Sequence, residues 1–281
     1  MLRTSVLGLA LLLAVTACDA LPAAGPTAPP FGFVVMGEYG TGLDDLQVFG
    51  HGAFVAFAEP PTDAFLDDPY GAHRGTCEIL DLEAVAVLPE VPLPEAAYVP
   101  IDAGATLPLR SPAGRYASLE RIEGRLGREV TIAYALPDPI PGPLPDGLTL
   151  DVPGAVFPRF AGEPFPALEP FELTAPAARD LDDITTSTKF EWAPSNSGRA
   201  VVMLTVVSRA QQLLVRCLAA DEGAFVFPSA TAQALDPEFS GHLSAVGRIG
   251  YRLATRPDAV LLLATTSTRA FVFRPDPPPP S

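Results

Sequence analysis

Residues 200–218 read AVVMLTVVSRAQQLLVRCL, two apolar runs separated by the polar stretch SRAQQ. Short runs rich in valine and leucine and bounded by polar residues are typical of β-strands. Ala200–Val207 and Leu213–Leu218 are therefore predicted to be strands. The same alternation of apolar run and turn continues in both directions along the chain.

Apolar runs recur roughly every 8–12 residues, with proline, glycine or acidic residues between them. This spacing predicts an all-β chain built from β-sandwiches. The other predicted strands are Phe31–Met36, Leu46–Phe49, Ala53–Ala58, Cys77–Asp81, Ala84–Leu88, Tyr98–Ile101, Thr106–Leu109, Tyr116–Arg121, Val130–Leu136, Leu148–Val152, Val156–Phe160, Lys189–Trp192, Ala224–Phe227, Ala245–Thr255, Val260–Thr265 and Arg269–Phe273.

Proline makes up 33 of the 281 residues, well above the usual level of about 5%. Because proline breaks helix interiors, helices of ordinary length are expected to be scarce. Only Ala230–Leu235 is predicted as a short helix, and Glu59–Gly75 is predicted as a loop. Since 48% of the residues are hydrophobic, the chain is expected to fold rather than remain disordered.

The N-terminus predicts export. Arg3 supplies a positive charge, Val6–Val15 is almost wholly apolar, and Val15-Thr16-Ala17-Cys18 places small residues before a cysteine. This order is typical of a cleaved signal peptide over residues 1–17, because the apolar run is too short to span a membrane.

Val15-Thr16-Ala17-Cys18 also resembles the lipobox of bacterial lipoproteins. That resemblance implies that Cys18 is lipidated, becomes the first mature residue and anchors the protein to the cell membrane or the outer membrane. Asp19 resembles the signal that retains some lipoproteins at the inner membrane, a rule that varies between lineages. Both membranes, and both a periplasmic and a surface-facing position, stay open.

The mature chain is long enough for two domains of ordinary size. Residues 18–30 are rich in alanine and proline and are predicted to be a tether that lifts the body off the membrane. Residues 31–165 are predicted to form an N-terminal β-sandwich and 166–274 a C-terminal Ig-like β-sandwich, with a linker at Ala161–Pro170. Residues 275–281 are predicted to be a proline-rich tail.

The charge excludes one class of partner. Without Arg3 the mature chain has 17 basic and 33 acidic side chains, a formal net charge of −16. Such a charge repels nucleic acid, so no nucleic-acid partner is expected. The expected partners are the membrane, through Cys18, and an envelope protein or glycan.

Phe190-Glu191-Trp192, Val215-Arg216-Cys217-Leu218 and the turn Asp221-Glu222-Gly223 resemble an Ig-like or fibronectin-like sandwich. With Tyr98–Leu107, this block is similar to two-domain bacterial envelope lipoproteins. The resemblance covers about residues 75–230 and implies a fold and a location, but no catalytic residue. The chain is expected to depart from immunoglobulin domains, with no second cysteine upstream of Trp192 that pairs with Cys217.

Candidate catalytic motifs are weak. Ile101-Asp102-Ala103-Gly104-Ala105-Thr106 comes near the active-site loop of retropepsin-like proteases, but Ala103 replaces the bracing hydroxyl residue and no second copy follows. Asp-Ala-Gly between two strands is also typical of a hairpin turn.

The histidines and the acidic turns lack metal-binding spacing. The histidines lie far apart, and the acidic clusters do not show the alternating pattern of a calcium loop, so solvated turns are expected. The residues concerned are His51, His73, His242, Glu38, Asp44-Asp45, Asp67-Asp68, Asp180–Asp183 and Asp221-Glu222.

Cys77 and Cys217 leave two readings. Export and the even count favour a disulfide. Against this, Cys217 shares a period-two face with Leu213 and Val215, as a core cysteine of a separate second domain would. Two buried, unpaired thiols are slightly favoured.

These observations predict an envelope lipoprotein that acts as a non-enzymatic structural or binding module. No catalytic, cofactor-binding or metal-ligating residue is assigned, and Cys18 is the one modification site. The alternative is an envelope hydrolase or protease whose site is assembled from remote loop residues such as Asp102, His51 or His73.

Overall fold

The structure is a computed structural model of the full chain. It describes residues 28–40, 45–59, 61–82, 98–126, 129–167, 169–177, 181, 184–196 and 199–270. Cys18, the predicted signal peptide, nearly all of the predicted tether, the predicted strand Ala84–Leu88 and the predicted tail lie outside the described residues.

The described chain is mostly β-structure, with two short α-helices and a 3₁₀ turn at Gly71–His73. Its strands and helices are β1 Phe31–Gly40, β2 Gln47–Phe57, α1 Asp63–Asp67, β3 Thr76–Asp81, β4 Tyr98–Pro100, β5 Thr106–Ser111, β6 Gly114–Leu126, β7 Glu129–Ala135, β8 Ile140–Pro141, β9 Thr149–Val152, β10 Phe160–Pro164, β11 Leu173–Ala175, β12 Ile184–Thr185, β13 Phe190–Trp192, β14 Ala200–Ser208, β15 Leu213–Ala220, β16 Ala224–Phe225, α2 Ser229–Ala234, β17 Ser240–Arg256 and β18 Ala259–Ala270.

Most of these strands belong to one large sheet. Its path is β10-β9-β5-β6-β7-β2-β1-β18-β17-β14-β15-β3, with β4 and β8 beside β2 and β12 beside β17. Strands β11, β13 and β16 form a second, small sheet. All pairs in the large sheet are antiparallel except β1 with β18, where Phe31 lies opposite Val260.

The parallel pair at the centre is buried on both faces, because alternate side chains of a strand point to opposite sides. On β1, Val34 and Met36 pack into one core cluster, whereas Phe33 and Val35 pack into another. This explains why Phe31–Met36 is a continuous apolar run rather than an alternating one.

Three core clusters hold the sheet. The N-terminal core includes Val34, Phe54, Leu109, Leu119, Tyr134, Leu150, Phe160 and Leu261. The C-terminal core includes Phe171, Phe190, Trp192, Leu204, Val215, Cys217, Phe239 and Val246. The central core, partly covered by Phe65 and Leu66 of α1, includes Phe31, Phe33, Val35, Phe57, Tyr70, Ile249, Tyr251 and Leu262.

Residues 159–167 and 169–171, here called the crossing segment, run along one face of β17. Three arginines at four-residue intervals on β17 donate to its carbonyls: Arg256 to Arg159 O at 2.6 Å, Arg252 to Pro164 O, and Arg248 to Pro170 O at 2.8 Å. Residues four apart share a strand face, so one row of guanidinium groups fixes the segment. The predicted linker Ala161–Pro170 therefore includes all of β10 except Phe160, and it is bonded to the sheet.

Strands from both predicted domains pair with each other. Strand β1 pairs with β18, and β3 pairs with β15. The all-β prediction is confirmed, while the division into two Ig-like sandwiches stays a prediction.

The cysteines form a disulfide, so the expectation of two unpaired thiols is wrong. Strand β3 pairs with β15 and places Cys77 directly opposite Cys217. The sulfurs lie 2.03 Å apart and the Cα atoms 4.0 Å apart, well inside the reach of a disulfide. The sequence argument failed because it assigned the two cysteines to separate cores, whereas their strands are neighbours.

Most predicted strands are confirmed with shifted ends, and the predicted helix corresponds to α2. The structure has one strand, β2, where two were predicted at Leu46–Phe49 and Ala53–Ala58. The glycines between them belong to the strand. At Gly52 a side chain would not fit, because its Cβ would lie 2.6 Å from the carbonyl oxygen of Phe33. Glycine there permits close approach of β1.

Three other local predictions are wrong. Val260–Thr265 and the described part of Arg269–Phe273 belong to one strand, β18. Val156–Phe160 is mostly a loop, with β10 beginning only at Phe160. The predicted loop Glu59–Gly75 contains α1, whose first turn is capped by the Thr62 side chain accepting from Phe65 N at 3.2 Å.

Candidate functional site

The Asp102 loop is fixed by internal contacts. Asp102 Oδ1 accepts from Gly104 N at 2.8 Å, and Arg121 Nη1 donates to Oδ2 at 2.7 Å. The Tyr134 hydroxyl lies 3.0 Å from Asp102 Oδ1 and 2.8 Å from Gly104 O, and it accepts from Ala103 N at 2.9 Å. Gly104 has a φ of +125°, which favours glycine at this turn.

These contacts decide the charge of Asp102. The hydrogen bond from Gly104 N, with further help from Tyr134 and Arg121, lowers the pKa of the Asp102 carboxyl below its usual range. Burial raises the pKa of the Tyr134 hydroxyl. An ionised carboxylate that accepts from an arginine, a tyrosine and a backbone amide holds the loop between β4 and β5 in one conformation.

The other residues named for a remote-loop site lie elsewhere. His51 on β2 stacks on Phe49 with ring centroids 6.1 Å apart, and burial lowers the pKa of its imidazole. His73 lies in the 3₁₀ turn, where its carbonyl accepts from the Thr76 hydroxyl at 2.6 Å. Within the described residues, the hydrogen bonds and ion pairs of Asp102 reach neither histidine.

Some acidic residues expected in solvated turns are buried instead. Glu38 lies in β1, 6% exposed, and accepts from Ser267 Oγ at 3.2 Å. Asp221 has a side chain only 5% exposed. The sequence prediction is wrong for both, because each carboxylate has internal donors that replace water.

Asp221 and Arg248 form a buried ion pair. Arg248 Nε donates to Asp221 Oδ2 at 2.8 Å, and the arginine side chain is 6% exposed. Asp221 also accepts from Trp192 Nε1 at 2.7 Å and from Ser195 N at 3.1 Å. The guanidinium lies 5.3 Å from the centroid of the Phe171 ring and bonds Ala193 O and Pro170 O. Both charges are thus fully surrounded by partners.

A second network fixes Arg74, just after the 3₁₀ turn. Arg74 Nη1 lies 2.6 Å from Asp68 Oδ2, and Nη2 donates to the Tyr251 hydroxyl. That hydroxyl donates to Asp68 Oδ1 at 2.6 Å. Burial, with the Asp68 hydrogen bond, raises the pKa of Tyr251 well above its usual range, so the phenol stays neutral and acts as a donor.

A pocket of about 220 Å³ lies between the two networks. Its lining includes Arg74 from one network and Asp221 from the other, together with Ser195 and Glu222. Ala200 and Ala220 also line it, and their small side chains leave the space open. Small-ligand sites are concave and use a few polar groups to orient the ligand, and this pocket is concave with Arg74 and Glu222 in its lining.

Sequence reasoning missed this pocket. Arg74, Asp221 and the residues that fix them come from four separate segments, and none forms a motif. One available signal was Arg248, a charged residue within the apolar run Ala245–Thr255, because a buried arginine needs an acidic partner.

The structure holds no candidate metal cluster in the part of the chain that it describes: no three His, Cys, Asp or Glu side chains converge there. Among the same residues, none of the helices has the length and apolar character that a membrane span requires. Comparison of the chain with protein-family models, curated proteins and solved structures found no match.

Proposed function

We propose that the chain is an envelope lipoprotein, anchored to a bacterial membrane through lipidated Cys18, whose β-structured body is a non-enzymatic binding module. The observation that carries the anchor is the order of charge, apolar run and Val15-Thr16-Ala17-Cys18 at the N-terminus. Two or three acyl chains bury enough methylene groups for stable attachment.

The binding role is supported by where the charged groups lie. Asp102 is bound to Arg121 and Gly104, and its contacts hold a loop rather than a reacting group. Arg74, by contrast, lines an open pocket, and Asp68 and Tyr251 fix its guanidinium from behind. Fixed polar groups at a concave surface suit recognition, because little conformational entropy is lost on binding.

We also propose two sandwich-like units within the body. The N-terminal core draws mainly on residues 31–165 and the C-terminal core on residues 166–274. The pocket would then belong to the border between them, since Arg74 precedes β3 while Glu222 follows β15.

The test of the anchor is Cys18→Ser. The variant is expected to leave the membrane fraction or to accumulate as the uncleaved precursor, and to lose metabolic labelling by an alkyne-tagged fatty acid. Thr16→Ser, which keeps a small residue in the same stretch, is the matched control and is expected to remain membrane-bound and labelled. A wild-type chain found in the soluble fraction with unmodified Cys18 contradicts the proposal.

A further inference from the structure

We propose that the pocket between Arg74 and Glu222 binds a small zwitterion, a molecule carrying one ammonium and one carboxylate group. This inference rests on the proposed binding function and names the ligand chemistry of that site.

The positive side of the pocket is Arg74. Its guanidinium has five N–H donors, of which Asp68 and Tyr251 engage one on each terminal nitrogen. The remaining donors are held in a fixed direction, because Asp68 and Tyr251 orient the guanidinium plane. A planar fork of this kind matches the two oxygens of a carboxylate.

The negative side is Glu222. The neighbouring carboxylate, Asp221, already accepts from Arg248, Trp192 and Ser195. Glu222 is exposed and lines the same pocket, so its carboxylate is the one with capacity for a ligand. Its natural partner is an ammonium group, which donates and is positively charged.

Size limits the ligand. The pocket, at about 220 Å³, is smaller than the roughly 300–1,000 Å³ that drug-sized ligands occupy. The volume suits a free amino acid or a dipeptide, and the spacing of the two charges distinguishes these sources.

The test uses the full chain in detergent micelles, titrated by ligand-observed NMR with glycine and with diglycine. At least one of the two is expected to bind. The tighter binder shows which distance between ammonium and carboxylate fits the pocket. Each zwitterion is compared with its own blocked forms. N-acetylglycine and N-acetylglycylglycine lack the ammonium, whereas glycinamide and glycylglycinamide lack the carboxylate. Each blocked form is expected to bind about tenfold or more weakly, because a charged hydrogen-bond partner is lost.

Two variants connect the binding to the pocket. Glu222→Gln is expected to weaken zwitterion binding about tenfold and to leave N-acetylglycylglycine unaffected. Ala220→Val, which narrows the pocket, is expected to weaken all probes. The control is Glu238→Gln, an exposed glutamate outside the pocket lining, which is expected to change nothing.

Two results overturn the inference: no binding of glycine or diglycine at millimolar concentration, or equal binding of the blocked and unblocked probes. Either result leaves the membrane attachment of the wild-type chain unchanged. The fractionation test of Cys18 therefore fails or succeeds independently of this titration.

Discussion

Arg248 and Arg256 lie eight residues apart on the same face of β17 and make different kinds of contact with the same crossing segment. Arg248 is 6% exposed and pairs with Asp221, which is equally buried. Arg256 is 43% exposed, lies 3.8 Å from Glu163 Oε1 and stacks 4.2 Å from the centroid of the Phe160 ring. One row of arginines therefore forms a buried ion pair at the Arg248 end and a solvent-exposed one at the Arg256 end.

The energetic difference follows from desolvation. Removing one partner of a buried pair leaves the other charge without water or counter-charge, which costs about 3–5 kcal/mol. An exposed pair is screened by solvent and contributes about 0–1 kcal/mol. The Arg248 end of the crossing segment should therefore be far more sensitive to mutation than the Arg256 end.

The largest expected effect is that of Asp221→Ala. It strands Arg248 in the interior and removes the acceptor of Trp192 Nε1, so the free energy of unfolding is expected to fall by about 3–5 kcal/mol. Urea denaturation followed by tryptophan fluorescence measures this loss, and Trp192 is the only tryptophan in the chain. The neighbouring substitution Glu222→Gln is the control and is expected to cost under about 0.5 kcal/mol. Equal losses of stability in Asp221→Ala and Glu222→Gln would show that the buried ion pair is no more important than an exposed carboxylate.

A smaller effect is expected from Glu163→Gln. Glu163 lies 3.3 Å from Arg252 and 3.8 Å from Arg256, and both arginines are partly exposed. The loss is expected to be about 1 kcal/mol and to shrink as salt rises, because screening weakens the wild-type pair. Denaturation midpoints at low and high salt measure both quantities. A loss as large as that of Asp221→Ala would show that exposure does not separate the two ends.

The smallest expected effect concerns the Asp102–Arg121 ion pair, which is partly exposed. Its contribution to stability is tested by varying the pH. The folded-state pKa of Asp102 lies below its ordinary value of 3.8. Its stabilising contribution is therefore complete above about pH 5 and is lost as the pH falls through the lowered folded-state pKa.

Asp102→Asn is expected to be less stable than the wild type at pH 7 and to lose less stability on acidification. Denaturation midpoints measured from pH 7 to pH 2.5 compare the two proteins. Parallel curves over that range would refute a lowered pKa for Asp102.

The strands could be predicted from the sequence because their signal is local. Ala200–Val207 and Leu213–Leu218 carry the apolar runs and polar boundaries that β14 and β15 require. Strand β2 reads as two strands in the sequence, because glycine ordinarily weakens a strand. The close approach of β1 that Gly52 permits is visible only in three dimensions.

The pairing of the strands could not be predicted, and the disulfide was missed for the same reason. Cys77 and Cys217 are 140 positions apart, and nothing local to either indicates that β3 lies beside β15. The pocket was missed likewise, because Asp221-Glu222-Gly223 has the composition of an ordinary turn. Only the fold shows that Trp192 and Arg248 converge on Asp221.

The parallel pairing of β1 with β18 sets the time at which the molecule can fold. Strand β1 is the first described strand to leave the ribosome, and its neighbour β18 is the last. Until β18 is available, Phe33 and Val34 lack one of the two strands that flank them, and such long-range pairing is slow to form. The export proposed above requires an unfolded chain and would benefit from this delay. A chain cut short before Ala259 exposes an apolar strand edge and is prone to aggregate.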